Sequence, residues 1–391
     1  MQVWLVDPSN FTIPYDIELS TALMRQDCSV TLFCRKARES EPKFGDNLIV
    51  VEHYYRLTDS GRAPDTSPMR IAKSAEHFVD TVRLAKLARN KQPNVIHLQW
   101  PVIPHIDGFF FRSTRRTSAL VLTVHDTQPY HGNQVSRIQT AGWQKVMHTA
   151  DRIIVHTDQS AVELEKQGIP SKKLAIIPHG LLNEYAISEL NPRSPGGSNS
   201  RLKFLFIGHI KPYKGIDELL DAFATLPRST LSSVELTIAG KLDPTVGDLG
   251  KAIAERSLEH NVSLELGFLS EERMDQLIGR ADVVVFPYHR IDASGMFYKC
   301  LPYGKAIIAS RTGIFAESLT DGLNALLVEP RNPGSLSQAI ITVQANPLLL
   351  RTLQTGSREF LRSIPTWDEI AARTRALYED ISARKHMVTK T

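Results

Sequence analysis

The sequence has few cysteines and no long apolar run. Its 391 residues include three cysteines, Cys28, Cys34 and Cys300, without C-x-x-C spacing, which excludes a disulfide scaffold. No stretch of 18 uninterrupted apolar residues occurs, so we expect no transmembrane helix. The opening segment, MQVWLVDPSN, lacks a basic region and a small-residue cleavage site, so we expect no secretion signal and a cytoplasmic location.

Several motifs of common α/β enzymes are also missing. The absence of G-x-G-x-x-G argues against a dinucleotide oxidoreductase, and that of G-x-x-x-x-G-K-[ST] against a P-loop enzyme. No G-x-S-x-G elbow of a hydrolase and no H-E-x-x-H zinc site is present. The D-x-D pair that commonly holds a metal-bound nucleotide sugar is absent too, so we expect no metal and no cofactor.

The composition is that of an ordinary globular protein. Hydrophobic residues make up 42% and charged residues 23%, and the 46 basic and 42 acidic side chains give a net charge of +4. The length suggests two domains. A mildly basic chain permits an anionic partner without requiring one, and we expect no nucleic acid.

Runs of Val, Ile and Leu alternate with helix-like periods along the whole chain. The predicted strands are MQVWLV, SVTLFC, NLIVVEHYY, NVIHLQW, SALVLTVHD and DRIIVHT, then LKFLFIG, SVELTIAG, VSLELG, DVVVFPY, KAIIAS and ALLVEP. The predicted helices include 17–26, 67–90, 136–150 and 271–280. Such strands, separated by helices, are typical of parallel sheets covered on both faces, so we predict two doubly wound α/β halves.

A boundary is predicted at NPRSPGGSNSR, because two prolines, two glycines and three serines favour a flexible connector. We predict an N-terminal domain over 1–185, a linker over 186–201 and a C-terminal domain over 202–365. Residues 366–391 are predicted to form a helix that packs back on the N-terminal domain. Ligands of such sheets bind at the carboxyl ends of strands, so we expect the site in a cleft between the halves.

The segment FLFIGHIKPYKGIDELLDAF (204–223) is the first candidate phosphate site. A predicted strand ends at Gly208, the loop carries Lys211 and Lys214, and a helix follows Gly215. Two ammonium groups near a helix N-terminus suit phosphate oxygens. A solvated loop whose lysines bind nothing is the alternative.

The segment FPYHRIDASGMFYKCLPYGKAIIAS (286–310) is the second candidate. Ser294 and Gly295 open a predicted helix after a buried strand, which offers a hydroxyl and unhindered N–H groups to an anion. The alternative is an ordinary N-cap serine. Both candidates follow strands of the same half, which favours a phosphate site.

These segments carry a resemblance to a known family. GHIKPYKG, GFLSEERMDQLIGRADVVVFPY, SGMFYKCLPYGKAIIASRTGIFAE and DGLNALLVEP resemble the nucleotide-sugar-binding domain of family 4 glycosyltransferases, and VIHLQWP, LTVHDTQPYHG and ADRIIVHTDQS…IIPHG resemble the acceptor-binding domain. The matches cover nearly the whole chain in the expected order. The resemblance implies a GT-B fold, with two Rossmann-like domains facing a cleft, and is strongest to bacterial exopolysaccharide-assembly enzymes with a Ser-Gly loop.

The resemblance implies roles for individual residues in the second half. Lys214 matches the lysine on the donor diphosphate, and Lys211 replaces a family arginine that aligns with His209. Ser294, Gly295 and Met296 match the loop whose amides hold the diphosphate. Contacts to the nucleotide base are expected from backbone near Gly240 and at Gly267, Phe268 and Leu269.

One departure concerns the Glu-x7-Glu motif of the family. Its second glutamate aligns with Lys299 and its first with Ile291, one position before Asp292. An ammonium group has donors only, so Lys299 cannot accept the ribose hydrogen bonds of the usual carboxylate. This departure leaves the stereochemical outcome open, with retention slightly favoured.

In the first half, strand ends carry the candidate catalytic and acceptor-side residues. His125 matches the family histidine near the reacting sugar, with Asp126 beside it; the alternative for His125 is a strand-end cap bonded to a backbone carbonyl. His97 and Trp100 are acceptor-side candidates, although a structural Trp100 is equally compatible. Asp16 is predicted first as a helix cap and second as an inverting base.

The implied function is transfer of a hexose from a UDP- or GDP-type sugar to a saccharide acceptor, possibly a polyprenyl-linked one. The alternative is a catalytically impaired GT-B protein that acts as a nucleotide-binding or regulatory subunit. FFFRSTRRT (109–117) and the basic helix after Ser67 predict an anionic membrane surface as a partner, on the inner face of the cytoplasmic membrane. The alternative for Phe109–Phe111 is a core element with a solvated basic rim.

Overall fold

The structure is a computed structural model that describes residues 1–38, 41–59, 67–128, 137–182 and 201–388. It divides into two compact units, Met1–Gly180 with Pro365–Thr391, and Leu181–Ile364. The predicted linker over 186–201 lies outside the described residues except for Arg201.

The first unit is built on a seven-stranded parallel sheet in the order β3-β2-β1-β4-β5-β6-β7. Its strands are β1 Gln2–Asp7, β2 Ser29–Arg35, β3 Ile49–Tyr54, β4 Val95–Leu98, β5 Ala119–Thr123, β6 Arg152–Val155 and β7 Leu174–Ile176. Its helices are α1 Ile13–Arg25, α2 Ser67–Lys91, α3 Pro104–Thr114, α4 Arg137–Thr149, α5 Asp158–Lys166 and the C-terminal α14 Trp367–Val388. Every residue of β4 and β5 is buried, as expected for strands covered on both faces.

The second unit has a six-stranded parallel sheet in the order β10-β9-β8-β11-β12-β13. Its strands are β8 Leu202–Ile207, β9 Val234–Gly240, β10 Val262–Leu266, β11 Val283–Phe286, β12 Ala306–Ser310 and β13 Leu326–Val328. Its helices are α6 Ile216–Ala224, α7 Arg228–Leu231, α8 Leu249–Glu255, α9 Glu271–Arg280, α10 Gly295–Cys300, α11 Gly313–Ser318, α12 Pro333–Ala345 and α13 Pro347–Phe360. Three 3₁₀ turns, Pro212–Lys214, Leu301–Tyr303 and Leu361–Ser363, complete the described part of this unit.

Each sheet reverses its strand order once, between β1 and β4 in the first unit and between β8 and β11 in the second. Because βαβ crossovers are right-handed, this reversal places helices on opposite faces of the sheet. It also opens a crevice at the carboxyl ends of the two central strands, where open α/β sheets bind ligands. The predicted doubly wound α/β architecture is confirmed.

The C-terminal helix α14 packs against α1 in the first unit. Arg25 forms an ion pair with Asp368 at 2.7 Å, and the Arg375 guanidinium donates to the carbonyl of Gln26 at 2.7 Å. The segment after Ile364 thus supplies residues to the first unit.

The predicted capping role of Asp16 is wrong. Helix α1 begins at Ile13, so Thr12 is the N-cap residue and Asp16 lies within the first turn. Pro14 causes the difference, because proline is favoured at the start of a helix, where its missing N–H has no partner to lose. The Asp16 carboxylate instead accepts a hydrogen bond from the Thr12 hydroxyl at 3.1 Å.

Candidate active site

The loop after β8 holds Lys214 in a fixed position. Gly208 ends the strand with φ at +118°, and a 3₁₀ turn over Pro212–Lys214 leads to Gly215, where φ is +70°. A Cβ on Gly215 would lie 1.9 Å from the Pro287 carbonyl oxygen, so only glycine lets this turn pack on the end of β11. The loop is therefore held in place at the crevice between β8 and β11.

Lys214 is a buried cation at this crevice. The residue is 8% exposed, and its Nζ lies 5.0 Å from the centre of the Tyr288 ring. Within the described part of the chain no carboxylate pairs with it. Burial, with the neighbouring charge of Lys211, lowers the pKa of Lys214 to about 7. A buried ammonium group without a counter-ion is costly, which favours a site for an anionic ligand.

The predicted helix at Ser294 is confirmed as α10. The Ser294 Oγ accepts a hydrogen bond from the N–H of Phe297 at 3.3 Å, so the serine is an N-cap. The first N–H groups of a helix have no partner within it, which leaves those of Gly295 and Met296 available to an anion. A Cβ on Gly208 would lie 3.5 Å from Lys214 Nζ and 3.6 Å from the Met296 side chain. The structure therefore brings both predicted phosphate segments together around Gly208.

Three glycines end adjacent strands beside this point. Gly208, Gly240 and Gly267 have φ values of +118°, +131° and +131° at the ends of β8, β9 and β10. A Cβ on Gly240 would lie 2.0 Å from the Gly208 carbonyl oxygen, and the N–H of Gly267 donates to the Gly240 carbonyl at 3.0 Å. Phe268 follows with its ring exposed, and Leu269 is half-buried. The three glycines themselves put no side chain at this edge, so backbone is exposed there to a ligand.

The other two basic residues near Gly208, Lys211 and His209, differ in charge. Lys211 is half-buried at the start of the 3₁₀ turn. Burial, with the charges of Lys211, Lys214 and Lys241, lowers the pKa of His209 to about 4, so this histidine is neutral near pH 7. The positive charge near Gly208 therefore comes from lysines rather than from His209.

Lys299 is buried on α10 and paired with two carboxylates of α9. Its Nζ donates to Glu271 at 2.6 Å and lies 3.0 Å from Asp275. Burial alone would lower the pKa of Lys299, but the two carboxylates outweigh it, so the pKa is raised. Asp292 is buried as well, and its carbonyl accepts from Ile314 at 3.2 Å. Lys299 is thus an ion-paired cation at the position where the resemblance implies a carboxylate.

In the first unit, four histidines end four adjacent strands. His97 lies in β4, and His125, His156 and His179 follow β5, β6 and β7. Their rings surround Tyr15 of α1, with ring centres 5.0 Å, 5.4 Å and 5.1 Å from it for His125, His156 and His179. The histidines lie at one edge because the carboxyl ends of parallel strands meet there.

The hydrogen bonds fix which nitrogen of His125 carries its proton. Burial lowers the pKa of His156 to about 4 and lowers the pKa of His125 well below its usual range, so both rings are neutral near pH 7. His156 Nδ1 lies 2.9 Å from the Ile177 carbonyl and must donate to it, so its Nε2 is an acceptor. His125 Nδ1, 3.0 Å away, must then donate to His156 Nε2.

His125 Nε2 is consequently a lone pair that accepts hydrogen bonds. Gln99 Oε1 lies 3.4 Å from it, and because two acceptors form no hydrogen bond, this tautomer requires the Gln99 amide to be turned over so that its NH₂ faces the ring. This contact is long, so a substrate hydroxyl can compete for the lone pair. The alternative role of His125 as a cap on a backbone carbonyl is wrong, since its partners in the described chain are side chains.

Two family models match the two halves of the chain. Residues 17–181 match "Glycosyltransferase Family 4", and residues 188–360 match "Glycosyl transferases group 1". The chain belongs to the family 4-like glycosyltransferases of GT-B fold. The resemblance inferred from the motifs is confirmed.

Curated relatives and solved structures agree with this assignment. An uncharacterised glycosyltransferase of Methanocaldococcus jannaschii is 29% identical over 46% of this chain and 48% of its own length. The MMP α-(1→4)-mannosyltransferase of Mycolicibacterium hassiacum is 33% identical over 44% and 41%. The chain spans about half the length of the curated relatives it matches.

Two solved structures show the GT-B fold over nearly the whole chain. Sucrose-phosphate synthase from Thermosynechococcus elongatus has a TM-score of 0.74 at 19% identity, with 98% of this chain and 100% of that chain covered. Anabaena HepE in complex with UDP and glucose has a TM-score of 0.72 at 16% identity, with 97% and 99% covered.

Several predicted first-unit residues of this glycosyltransferase are placed differently from expectation. His97 is fully buried, with its nitrogens bonded to Tyr378 at 2.6 Å and Thr123 at 2.7 Å, so it supports the cluster rather than reaching an acceptor. Trp100 is buried and stacked on Phe11, with ring centres 4.2 Å apart. Asp126 accepts from the N–H of Gln128 at 2.9 Å.

Asp16 is a buried carboxylate of this glycosyltransferase. It is 1% exposed, and burial together with the neighbouring Asp7 raises its pKa well above the usual range. A carboxyl group in this position has little contact with solvent, so it is not placed to deprotonate an acceptor.

Sequence reasoning missed the partners that give these groups their properties. It did not identify the three residues around His125, which are His156, Gln99 and Tyr15. It also did not identify Glu271 beside Lys299. One signal was present: the successive predicted strands NVIHLQW, SALVLTVHD and DRIIVHT each carry a histidine at or near the end.

The described residues contain no group of three or more His, Cys, Asp or Glu side chains that is arranged to hold a metal ion. No helix in the same ranges has the length and apolar character needed to cross a bilayer.

Proposed function

We propose that the protein transfers a hexose from a nucleoside-diphosphate sugar, of UDP or GDP type, to a saccharide acceptor. The observation that carries the proposal is the buried Lys214, which has no carboxylate partner in the described chain and lies against Gly208 and Met296. The printed descriptions of relatives support it: one is a mannosyltransferase, and HepE has been crystallised with UDP-glucose.

The proposed mechanism places the protein's positive groups on the leaving diphosphate. As the bond from the anomeric carbon to the diphosphate oxygen breaks, negative charge grows on that oxygen. Lys214, Lys211 and the amides of Gly295 and Met296 are the groups that stabilise this charge, most strongly in the transition state. The reaction then needs no metal ion.

We propose that the anomeric configuration is retained. The two first-unit carboxylates considered as bases are engaged elsewhere, Asp16 with Thr12 and Asp126 with the backbone of Gln128. His125 is neutral and accepts through Nε2, which suits it to hold a hydroxyl in place. With same-face attack, the acceptor hydroxyl forms the new bond to the anomeric carbon and its proton passes to the departing diphosphate oxygen.

Turnover of a panel of nucleotide sugars tests the proposal. Release of nucleoside diphosphate would be measured with and without a chelator, first with water and then with saccharide acceptors, and the product anomer determined by NMR. We expect release of nucleoside diphosphate from one UDP- or GDP-sugar that persists in the chelator, and a product with the anomeric configuration of the donor. Inversion would contradict the stereochemical part.

A nucleotide-binding or regulatory subunit is the second candidate. The observation that favours it is Lys299, a buried cation paired with Glu271 at the position where the resemblance implies a carboxylate. Tight nucleotide binding with no release from any sugar in the same panel would support this candidate and contradict the transferase.

We further propose peripheral binding to an anionic membrane, through a surface that differs from the predicted one. Phe110 and Phe111 are buried in the core, and only Phe109 of the three phenylalanines is exposed. Exposed apolar side chains form a stripe at helical spacing along α2, namely Ile71, Phe78, Val79 and Val82. Exposed basic residues of α2, of α3 and of the turn after α3 accompany them: Arg83, Lys86, Arg89, Arg112, Arg115 and Arg116. This composition suits an anionic lipid surface and a lipid-linked acceptor.

If α2 and α3 bind an anionic membrane, the protein should prefer anionic to neutral vesicles. We expect the protein to sediment with anionic vesicles and much less with neutral ones, at low salt. Val79→Ser should weaken this binding, whereas Val162→Ser, a similarly exposed valine on α5, should not (43% and 47% exposed). Equal sedimentation with both lipids would rule out the membrane proposal.

A further inference from the structure

A cavity of about 390 Å³ lies at the carboxyl edge of the first unit's sheet. Its wall includes Ser9, which follows β1, Arg35 at the end of β2, Tyr55 after β3, and Ile103, which follows β4. The strand order reverses between β1 and β4, so the cavity spans the position where open α/β sheets bind ligands. None of the four strand-end histidines of this unit, His97, His125, His156 and His179, lines it.

The cavity has more cationic than anionic side chains. Arg35, Arg38, Arg70 and Lys73 line it, with Asp59 as the carboxylate of the lining. Arg38 donates to Asp59 at 2.9 Å, and Lys73 lies 3.7 Å from the same carboxylate. Arg35 Nε lies 3.5 Å from Asp59 as well, and Glu41 pairs with the Arg35 guanidinium. Even without Arg70, three cations thus face two carboxylates, so the cavity has an excess of positive charge.

The cavity wall on the β2 side is rigid. Arg35 is 6% exposed; its Nε donates to the Ser9 carbonyl at 2.9 Å, and its Nη1 donates to the Lys36 carbonyl at 2.8 Å. Glu41 pairs with the same guanidinium. Arg35 therefore holds the loop after β1 in place, while Arg38 and Lys73 remain the cations available to a ligand.

The opposite wall is fixed by a buried chain of hydrogen bonds. The Tyr55 hydroxyl lies 2.7 Å from His77 Nδ1, and His77 Nε2 lies 2.9 Å from Asp107. The second oxygen of Asp107 accepts from the N–H of Ile103 at 2.8 Å. This chain connects two lining residues through two fully buried side chains, as expected of a preorganised binding site.

We propose that this cavity binds a phosphate or phosphodiester group carried by the acceptor. The inference rests on the proposed transferase function and adds the chemical class of the acceptor. A phosphate oxyanion accepts charge-assisted hydrogen bonds from Arg38 and Lys73, and the ion pairs of both side chains with Asp59 hold them in place. The phosphate belongs either to a soluble sugar phosphate or to a lipid headgroup.

Calorimetry with the donor site blocked tests the proposal. The full-length protein, saturated with the nucleoside diphosphate it binds, would be titrated with glycerol 3-phosphate and, separately, with vesicles containing phosphatidic acid. The double variant Arg38→Gln/Lys73→Gln should bind the phosphate probe at least about tenfold more weakly, since two charge-assisted bonds are lost. Lys166→Gln, an exposed lysine on α5, should bind as the unchanged protein does.

The results distinguish a soluble phosphate from a lipid headgroup, and failure of the phosphate site from failure of the transferase function. Binding of glycerol 3-phosphate comparable to that of vesicles indicates a soluble phosphate, and binding of vesicles alone indicates a lipid headgroup. No binding of either probe, or equal binding by the double variant, would overturn the inference. Donor hydrolysis without acceptor should be unchanged in the double variant; if the unchanged protein hydrolyses no donor, the transferase proposal fails while the binding test remains valid.

Discussion

Replacing Lys214 with alanine should lower kcat by a factor on the order of 10²–10³. The change removes the buried ammonium group from the place where charge on the leaving diphosphate develops. The buried methylene stem is lost too, so thermal unfolding would be compared to confirm that the fold is retained. Lys251→Ala, the same change at an exposed lysine on α8, is the matched control and should leave turnover unchanged.

Lys214 also predicts a pH dependence with a definite sign. Because burial lowers the pKa of Lys214 to about 7, its ammonium group loses its charge as the pH rises through 7. The value of kcat/KM for the donor, which reflects the free enzyme, should therefore fall above pH 7. This alkaline limb should be absent from Lys214→Ala. Near-normal turnover of that variant at saturating donor would contradict the assigned role.

The second large effect is expected at His125. His125→Phe keeps a ring in the buried cluster but removes the Nε2 acceptor, and we expect kcat to fall by about 10²-fold or more. Since the pKa of His125 lies well below its usual range, no titration of this residue should appear between pH 6 and 8. A kinetic pKa near 6.5 that disappears in this variant would show that the ring titrates as an ordinary histidine.

We expect His156 to affect the proposed reaction through its hydrogen bond with His125. His156→Leu removes the acceptor of the His125 Nδ1–H bond and should lower kcat with little change in donor KM, whereas His156→Gln offers an amide oxygen and should recover part of the loss. The ¹⁵N shifts of the His125 ring should show the Nδ1–H tautomer in the unchanged protein. Observation of the Nε2–H tautomer would refute the proposed orientation of the ring.

The fold could be predicted because its central strands are buried. Segments such as VVVF in β11 and AIIA in β12 are continuous apolar runs, and the turns between them carry Gly, Pro and polar residues. The start of α1 was predicted four residues late because the periodic pattern begins after the proline that opens the helix. The two phosphate segments were recognisable because each is local in sequence.

The properties of the site could not be predicted from local sequence. The pKa of Lys214 depends on its burial against Tyr288, which lies 74 positions away in the chain (288 minus 214). Lys299 obtains its carboxylates from α9, and His125 obtains its orientation from the next strand. The apolar run of Phe109–Phe111 gave no indication of which ring faces the core, because that depends on how α3 packs against α2 and α4.

Binding of nucleoside diphosphates by the second unit is the central claim, and thermal unfolding of the purified protein with UDP, GDP and ADP tests it most directly. A ligand at 100 times its dissociation constant should add about 2.7 kcal/mol to stability, which gives a visible rise in Tm. We predict a rise with UDP or GDP that persists in a chelator and is lost in Lys214→Ala. No rise with any of the three, or a rise that the chelator abolishes, would contradict a donor site built from Lys214 and the start of α10.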